Sequence, residues 1–206
     1  MYTRLHLRSL DLSRNRLAKL SPNIAELQSL EGLYLSSNRL TELPESINKL
    51  QYLLFFHVDG NFIEVLPDSI GELKQLRSLH LRGNLLSKLP ESIGKLYSLE
   101  RMDVCFNQLL ELPESLFQLR NLTNLILHNN YLSKISNRIC KLKFLNELDL
   151  HNNRLTELPK CIGEMKHLRD FDVGNNYLGE LPENANPGYK DSEIISQIEI
   201  DALLGY

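Results

Sequence analysis

Leucine and isoleucine recur along this chain at one fixed spacing, and polar residues fill most of the positions between them. The sequence divides into eight units, which begin 23 residues apart and share the pattern L-x-x-L-x-L-x-x-N-x-L-x-x-L-P-x-x-I-x-x-L-x-x. The first positions of the units are Leu7, Leu30, Leu53, Leu76, Leu99, Leu122, Leu145 and Leu168. Self-similarity at a fixed period of this length indicates a repeat architecture.

The two halves of the unit predict different local structures. In the second unit, Leu33–Leu35 alternates apolar and polar residues with the strand period of two, which predicts a short strand with one buried face. The ninth residue, Asn38, follows that strand and can pair the backbone groups that the turn buries. The returning half, "LPESINKL", spaces Leu43, Ile47 and Leu50 for a short helical or 3₁₀ arm, with proline tolerated in its first turn.

One unit cannot bury its own leucines, so the units are expected to stack. Strands then lie about 4.7–4.9 Å apart, while the bulkier return arms spread on the outside and bend the stack. We predict an α/β solenoid with a parallel sheet on its concave face, formed by one domain over residues 1–206. A capping helix is expected at about 184–206, where Ile194, Ile195 and Ile198 have near-helical spacing; the alternative is a helix that docks into a partner.

The pattern resembles the leucine-rich-repeat family, in particular its 23-residue class with an "LPxxI" return arm, over roughly Leu7 to Pro182. The resemblance implies a horseshoe with 3₁₀ or irregular arms on its convex face. Similar proteins include Ras-associated scaffolds, their plant relatives and bacterial leucine-rich-repeat proteins. The first and sixth units depart from the pattern at "LSPNI" and "ISNRI", and we expect a locally different arm in each.

Charge and cysteine content narrow the function classes. The net charge is -3, with Lys+Arg 23 against Asp+Glu 26, so non-specific binding to nucleic acid or to an anionic membrane is not expected. No apolar stretch approaches the ~20 residues that span a bilayer, and "MYTRLHLRSL" lacks the apolar run of a signal peptide. Cys105, Cys140 and Cys161 have no C-x-x-C spacing, so we expect free thiols and a cytoplasmic location.

The residues between the leucines are predicted to form a binding surface. The third, fifth and seventh positions of each unit are expected to face solvent on the concave side, where they include four of the 6 histidines. Aromatic residues and arginine are enriched in interface cores, although scattered apolar side chains that pack on their neighbours remain the alternative. The predicted protein-binding residues are Tyr34, Phe55, His57, Asp59, His80, Arg82, Arg101, Asp103, Phe106, Ile126 and His128.

Two further features of this surface concern ligands. Its C-terminal end is acidic, which favours a basic segment of a partner; the acidic residues are Glu147, Asp149, Asp170 and Asp172. Cys105, His128 and His151 share the seventh position of three consecutive units, and Asp103 or Asp149 could complete a metal-ligand set. The outer strands of these units would lie roughly 9–10 Å apart, so we favour a row of solvated side chains and predict no metal and no cofactor.

No nucleotide-binding or zinc-protease motif is present, and an enzyme is not expected. We expect a non-catalytic scaffold or adaptor that binds another protein through its concave face and is a monomer or weak dimer. The resemblance implies a signalling protein as the partner, such as a small GTPase or a phosphatase. A bacterial effector that engages a host protein in the host cytosol is one alternative. A structural module that self-associates through the N-terminal edge of its sheet is another, because only six residues precede Leu7.

Overall fold

The computed structural model describes residues 6–179, which form one parallel sheet of eight strands and seven 3₁₀ helices on its other side. The predicted capping helix at about 184–206 lies outside the described residues. Every strand is three residues long: β1 Ser9–Asp11, β2 Gly32–Tyr34, β3 Phe55–His57, β4 Ser78–His80, β5 Arg101–Asp103, β6 Asn124–Ile126, β7 Glu147–Asp149 and β8 Asp170–Asp172. The 3₁₀ helices are η1 Pro22–Glu26, η2 Glu45–Lys49, η3 Asp68–Glu72, η4 Glu91–Lys95, η5 Glu114–Gln118, η6 Asn137–Lys141 and η7 Lys160–Glu164.

The sheet follows chain order from β1 to β8, and its register repeats the unit length. Leu33 pairs with Phe56, and Phe56 pairs with Leu79, each 23 residues further along the chain. Equivalent positions of successive units therefore stand side by side. This confirms the predicted parallel solenoid, and it turns each position of the unit into a column that runs across the sheet.

The middle residue of each strand points into the core, together with the leucines and isoleucines of the arms. Leu79, Leu86 and Ile93 of the fourth unit are fully buried, and the same pattern extends through the stack from Ile24 to Val173. Burial of this kind removes apolar surface from water at about 25 cal/mol per Å². The core leucines were thus predicted correctly from their spacing.

The asparagine column pairs backbone groups within and between units, as the sequence predicted. The Asn84 amide donates to the carbonyls of Leu81 and Val58 at 3.0 and 3.1 Å, and its Oδ1 accepts from the Ile63 amide at 3.0 Å. Each buried asparagine therefore satisfies polar groups that no strand or arm would otherwise pair. Neighbouring turns are joined by this column in the same way that neighbouring strands are joined by the sheet.

The arms of the first and sixth units differ from the others in their caps and not in their bounds. The Ser21 side chain accepts from the Asn23 amide, and that of Ser136 accepts from the Arg138 amide, both at 3.3 Å. Serine thus caps these two arms with a side-chain hydrogen bond. In the other units proline occupies the N-cap position, as Pro44 does, without such a bond. The expected local difference is confined to this one residue of the arm.

The prediction of three free thiols is wrong for two of them, because Cys140 and Cys161 form a disulfide. The physical reason lies in how the arms stack. A methyl group built at Gly94 would lie 2.6 Å from the Cβ of Ser115 in the next arm. Gly94 and Ser115 belong to the fourth and fifth units, and Cys140 and Cys161 occupy the same two positions in the sixth and seventh units. The two cysteines are separated by 21 residues in the sequence. The disulfide removes the argument on which a reducing compartment was predicted.

Candidate functional site

The predicted binding residues all lie on the solvent side of the sheet, which we call the sheet face. It consists of the first and last residues of each strand and the seventh and eighth positions of each unit. Parallel pairing places Tyr34, His57, His80, Asp103 and Ile126 in one continuous column. The structure therefore brings these side chains together across five strands, although the sequence separates them by 23 residues at each step.

Rings meet edge to face and face to face along the first half of this column. The Tyr34 and His57 rings meet edge to face at 5.1 Å, and the His57 and His80 rings stack at 4.0 Å with an angle of 6°. Burial, and then the neighbouring His80, lowers the pKa of His57. The His57 Nε2 atom is buried and has no hydrogen-bond partner among the described residues.

A second run of side chains continues from β4 towards the C-terminal end. The Arg82 guanidinium lies 5.0 Å from the centre of the Phe106 ring, and that ring meets His128 edge to face at 5.0 Å. His128 in turn stacks on His151 at 4.4 Å. Contacts of this kind hold large side chains in one conformation, so this part of the face is preorganised.

Two phenylalanines remain exposed on the sheet face. Phe55 is 41% exposed between Gly32 and Ser78 of the adjacent strands, and Phe106 is 45% exposed. Because these neighbours are small, they do not cover the Phe55 ring. Arg101, two strands away, is also exposed. Packing on their own neighbours therefore does not hide these rings, which agrees with a role in recognition.

The aspartates of the sheet face also serve the fold. Asp103 accepts a hydrogen bond from the amide of Cys105 at 3.0 Å, and Asp149 accepts from that of His151 at 3.1 Å. Asp59 accepts from the Arg82 amide at 3.0 Å and from the Ser36 hydroxyl at 3.2 Å. Asp103 and Asp149 therefore fix the turns that follow their own strands, and Asp59 joins its turn to those of the adjacent units. The sequence analysis did not assign these roles to them.

The metal-ligand set with Cys105 does not form. The Cys105 side chain is fully buried, and burial, followed by its hydrogen bond to Asp103, raises the pKa of the thiol. His128 and His151 remain partly accessible on the sheet face. The seventh column therefore divides, with the thiol in the core and the imidazoles at the surface.

A cleft on the arm side was missed by the sequence analysis. It measures about 890 Å³ and is lined by Tyr97, Phe117, Gln118, Arg120, Asn121, Lys141, Lys143 and Phe144. The cause is one residue: Phe117 occupies the position at which Gly71 and Gly94 allow the next arm to approach. A phenylalanine in a column of small residues was the signal in the sequence.

Comparisons with known proteins agree with this architecture. A family model described as a leucine-rich repeat region matches residues 2–79 and 65–153, and one described as a leucine rich repeat matches residues 144–165. A solved leucine-rich-repeat protein of Leptospira interrogans is similar, with 35% identity and a TM-score of 0.84; the match covers 87% of this chain and 46% of that one. A search of curated protein sequences finds no significant match.

Two plant receptor structures are also similar. The plant peptide hormone receptor RGFR1 in complex with RGF2 shows 31% identity and a TM-score of 0.77, over 85% of this chain and 29% of the receptor chain. The Arabidopsis receptor kinase HAESA, in complex with the peptide hormone IDA and the co-receptor SERK1, shows 32% identity and a TM-score of 0.75, over 84% and 30%. This chain spans less than half the length of each of these three structures.

None of the helices between residues 6 and 179 has the length and apolar character that crossing a bilayer requires.

Proposed function

This chain belongs to the leucine-rich-repeat family, and from that premise we propose that it is a non-catalytic scaffold that binds another protein through its sheet face. The exposed pair Phe55 and Phe106, with arginines beside them, carries the proposal. Aromatic and arginine side chains dominate binding energy where they can be desolvated by a partner. Leucine-rich-repeat regions of this kind are generally binding modules.

The rigidity of the face supports the same function. Every strand is paired to its neighbours, and ring contacts or hydrogen bonds hold several side chains of the face, among them Tyr34, Asp59 and His151. A surface that is ordered before binding loses little conformational entropy on association. The solved receptor complexes of RGFR1 and HAESA contain peptide hormones, which supports a polypeptide as the ligand here.

The partner that we propose is a signalling protein, such as a small GTPase or a phosphatase. Its contact with the C-terminal end of the sheet face would be made by a basic segment, because Asp170 and Asp172 are exposed there. A bacterial effector that binds a host protein would use the same surface. Either partner would meet the aromatic centre of the face and its acidic end together.

The test compares two variants, each with three substitutions to alanine. Phe55→Ala/Arg101→Ala/Phe106→Ala removes the centre of the sheet face. Tyr52→Ala/Val65→Ala/Leu110→Ala removes three residues that are each 57% exposed and lie away from that face. A partner captured by the wild-type chain is purified, and its affinity for all three proteins is measured by calorimetry.

The face variant is expected to lose at least about 2 kcal/mol of binding free energy, and the control variant is expected to bind like the wild type. Circular dichroism should show all three proteins folded. Equal affinity of the face variant and the wild type would move the binding site away from the sheet face.

Self-association is a second candidate, favoured by the open edge of β1. No described residue pairs with the outer side of this strand. Leu10 within it and Leu7 just before it are only partly buried. An unpaired edge is a template for another strand. Sedimentation velocity should then show a mass that rises with concentration and that Leu7→Glu returns to the monomer value; a constant monomer mass would remove this candidate.

A further inference from the structure

Two histidines and an aspartate meet where β6 and β7 run into their turns. His128 and His151 follow adjacent strands, and their rings stack at 4.4 Å with an angle of 10°. The Asp149 carboxylate lies between the strands, with Oδ1 2.7 Å from His151 Nδ1 and Oδ2 4.0 Å from His128 Nε2. One ring nitrogen of each histidine and one carboxylate oxygen all lie within 4.8 Å of one another.

We propose that His128, Asp149 and His151 bind a divalent transition-metal ion of the zinc and copper class. Two imidazole nitrogens and one carboxylate oxygen form a donor set that favours zinc or copper over calcium or magnesium. Three protein ligands leave one position of a tetrahedral site open. Ligand atoms of a tetrahedral zinc stand about 3.4 Å apart, given bond lengths near 2.1 Å. Because a bound ion lies near the plane of each imidazole, the two stacked rings would rotate out of their parallel arrangement to close the set.

The surroundings of the three residues favour a cation. The Asp172 Oδ2 atom lies 3.6 Å from His151 Nδ1, where it can serve as a fourth ligand or as a partner of the ring. Asp103 and Arg82 also act electrostatically on His128, so three carboxylates stand against one guanidinium. Ile126, in the last position of β6, gives the site an apolar neighbour in the column beside Asp149.

The second ring nitrogen of His128 is held in place by two amides. The Asn129 side chain lies 2.7 Å from His128 Nδ1, and the Asn152 side chain donates to Asn129 Oδ1 at 3.3 Å. A ligating histidine normally donates a hydrogen bond from its other nitrogen. A half-turn of the Asn129 amide, which exchanges its oxygen and nitrogen, supplies the required acceptor when the Asn152 amide turns with it, so that the Asn152 oxygen then accepts from Asn129.

A second group, His57, Asp59 and His80, has the same composition and provides a comparison within the molecule. Its ligand atoms also lie within 4.8 Å, and its imidazoles stack at 4.0 Å. However, both Asp59 oxygens already accept hydrogen bonds, Oδ1 from the Arg82 amide and Oδ2 from the Ser36 hydroxyl. At Asp149 the His151 amide occupies Oδ1, while Oδ2 accepts no hydrogen bond from the described residues. We therefore assign the tighter site to the group around Asp149.

The experiment is a titration of the untagged, metal-free chain with zinc chloride, by calorimetry at neutral pH and with the disulfide intact. The wild type, His57→Asn/His80→Asn and Cys105→Ser are expected to bind one zinc with similar affinity. His128→Asn/His151→Asn is expected to bind at least about 100-fold more weakly, because it lacks two ligands. Cobalt should produce the visible absorption of a tetrahedral ion in the wild type and not in this variant.

Circular dichroism verifies that each variant is folded, which the partial exposure of these histidines favours. Absence of zinc binding by the wild type would overturn the proposal. Loss of binding in His57→Asn/His80→Asn with retention in His128→Asn/His151→Asn would place the ion at the other group and would also overturn it. An effect of Cys105→Ser as large as that of the His128 variant would show that the thiol is a ligand, against the burial described above.

Discussion

At the scale of single residues, the eighth position of the unit imposes an unusual backbone conformation. It has a positive φ between 52° and 64° in all eight units: Arg14, Ser37, Gly60, Gly83, Phe106, Asn129, Asn152 and Asn175. Glycine and asparagine are suited to this region, whereas a bulky aromatic residue is rarely found there. The presence of Phe106 at this position, exposed on the sheet face, is a local cost to the fold that agrees with a role in binding.

The strain at Phe106 can be isolated by comparing two substitutions. Phe106→Gly and Phe106→Ala lose the same contacts with Arg82 and His128, but only glycine relieves the backbone. The free energy of unfolding, measured by chemical denaturation, is expected to be about 1–2 kcal/mol higher for Phe106→Gly than for Phe106→Ala. A Phe106→Ala protein at least as stable as Phe106→Gly would show that the position carries no strain, because glycine is normally the less stabilising residue.

The asparagine column allows a second prediction for single residues. Asn84→Ala leaves two carbonyls and one amide without the bonds that Asn84 makes in the core. The Val58 and Leu81 carbonyls keep the bonds from Asn61 and Asn107, whereas the Ile63 amide loses its partner. One unsatisfied buried group costs about 1–3 kcal/mol, so a loss of about this much unfolding free energy is expected in urea denaturation.

The matched control is Asn15→Ala in the first unit. Asn15 donates to the carbonyls of Leu12 and Ser13 in an exposed setting, where water can replace its bonds. Its loss should cost less than about 1 kcal/mol. Similar costs at Asn15 and Asn84 would contradict the role assigned to burial.

At the scale of elements, the distance between successive arms is set by two columns of side chains. Gly71 lies against Ser92 and Gly94 against Ser115, so closely that a methyl group at either glycine would overlap the carbonyl of that serine at 2.3 Å. Phe117 ends the run of glycines and opens the cleft beyond η5. Cys140 and Cys161 then restore a link between η6 and η7 as a disulfide.

The disulfide is expected to stabilise the C-terminal arms. It closes a loop whose ends are separated by 21 residues, for which loop entropy predicts about 3 kcal/mol. Addition of a reductant should therefore lower the unfolding free energy of the wild type by about this amount. A Cys140→Ser/Cys161→Ser protein should already have the lower value and show no response to the reductant; a response of the same size in both proteins would exclude the disulfide as its origin.

At the scale of the whole molecule, stability and recognition are divided between the two sides of the stack. Each unit contacts its neighbours through the sheet, the asparagine column and the arms, so the core repeats from unit to unit. The sheet face varies from unit to unit; its fifth position, for example, carries aspartate, tyrosine, histidine or isoleucine. A constant core beneath a variable surface is the arrangement from which a binding specificity can be built.

Residue spacing alone determined the fold of this protein, its strand register, its buried leucines and the bonding of its asparagines, because every unit meets the same physical requirement. Spacing also placed the predicted binding residues on one face. Tertiary structure alone decided which neighbours pair in detail: the burial of Cys105, the Cys140–Cys161 bond, the approach of Asp149 to His128 and His151, and the cleft at Phe117. Each depends on distances between side chains of adjacent units, which a one-dimensional pattern does not specify.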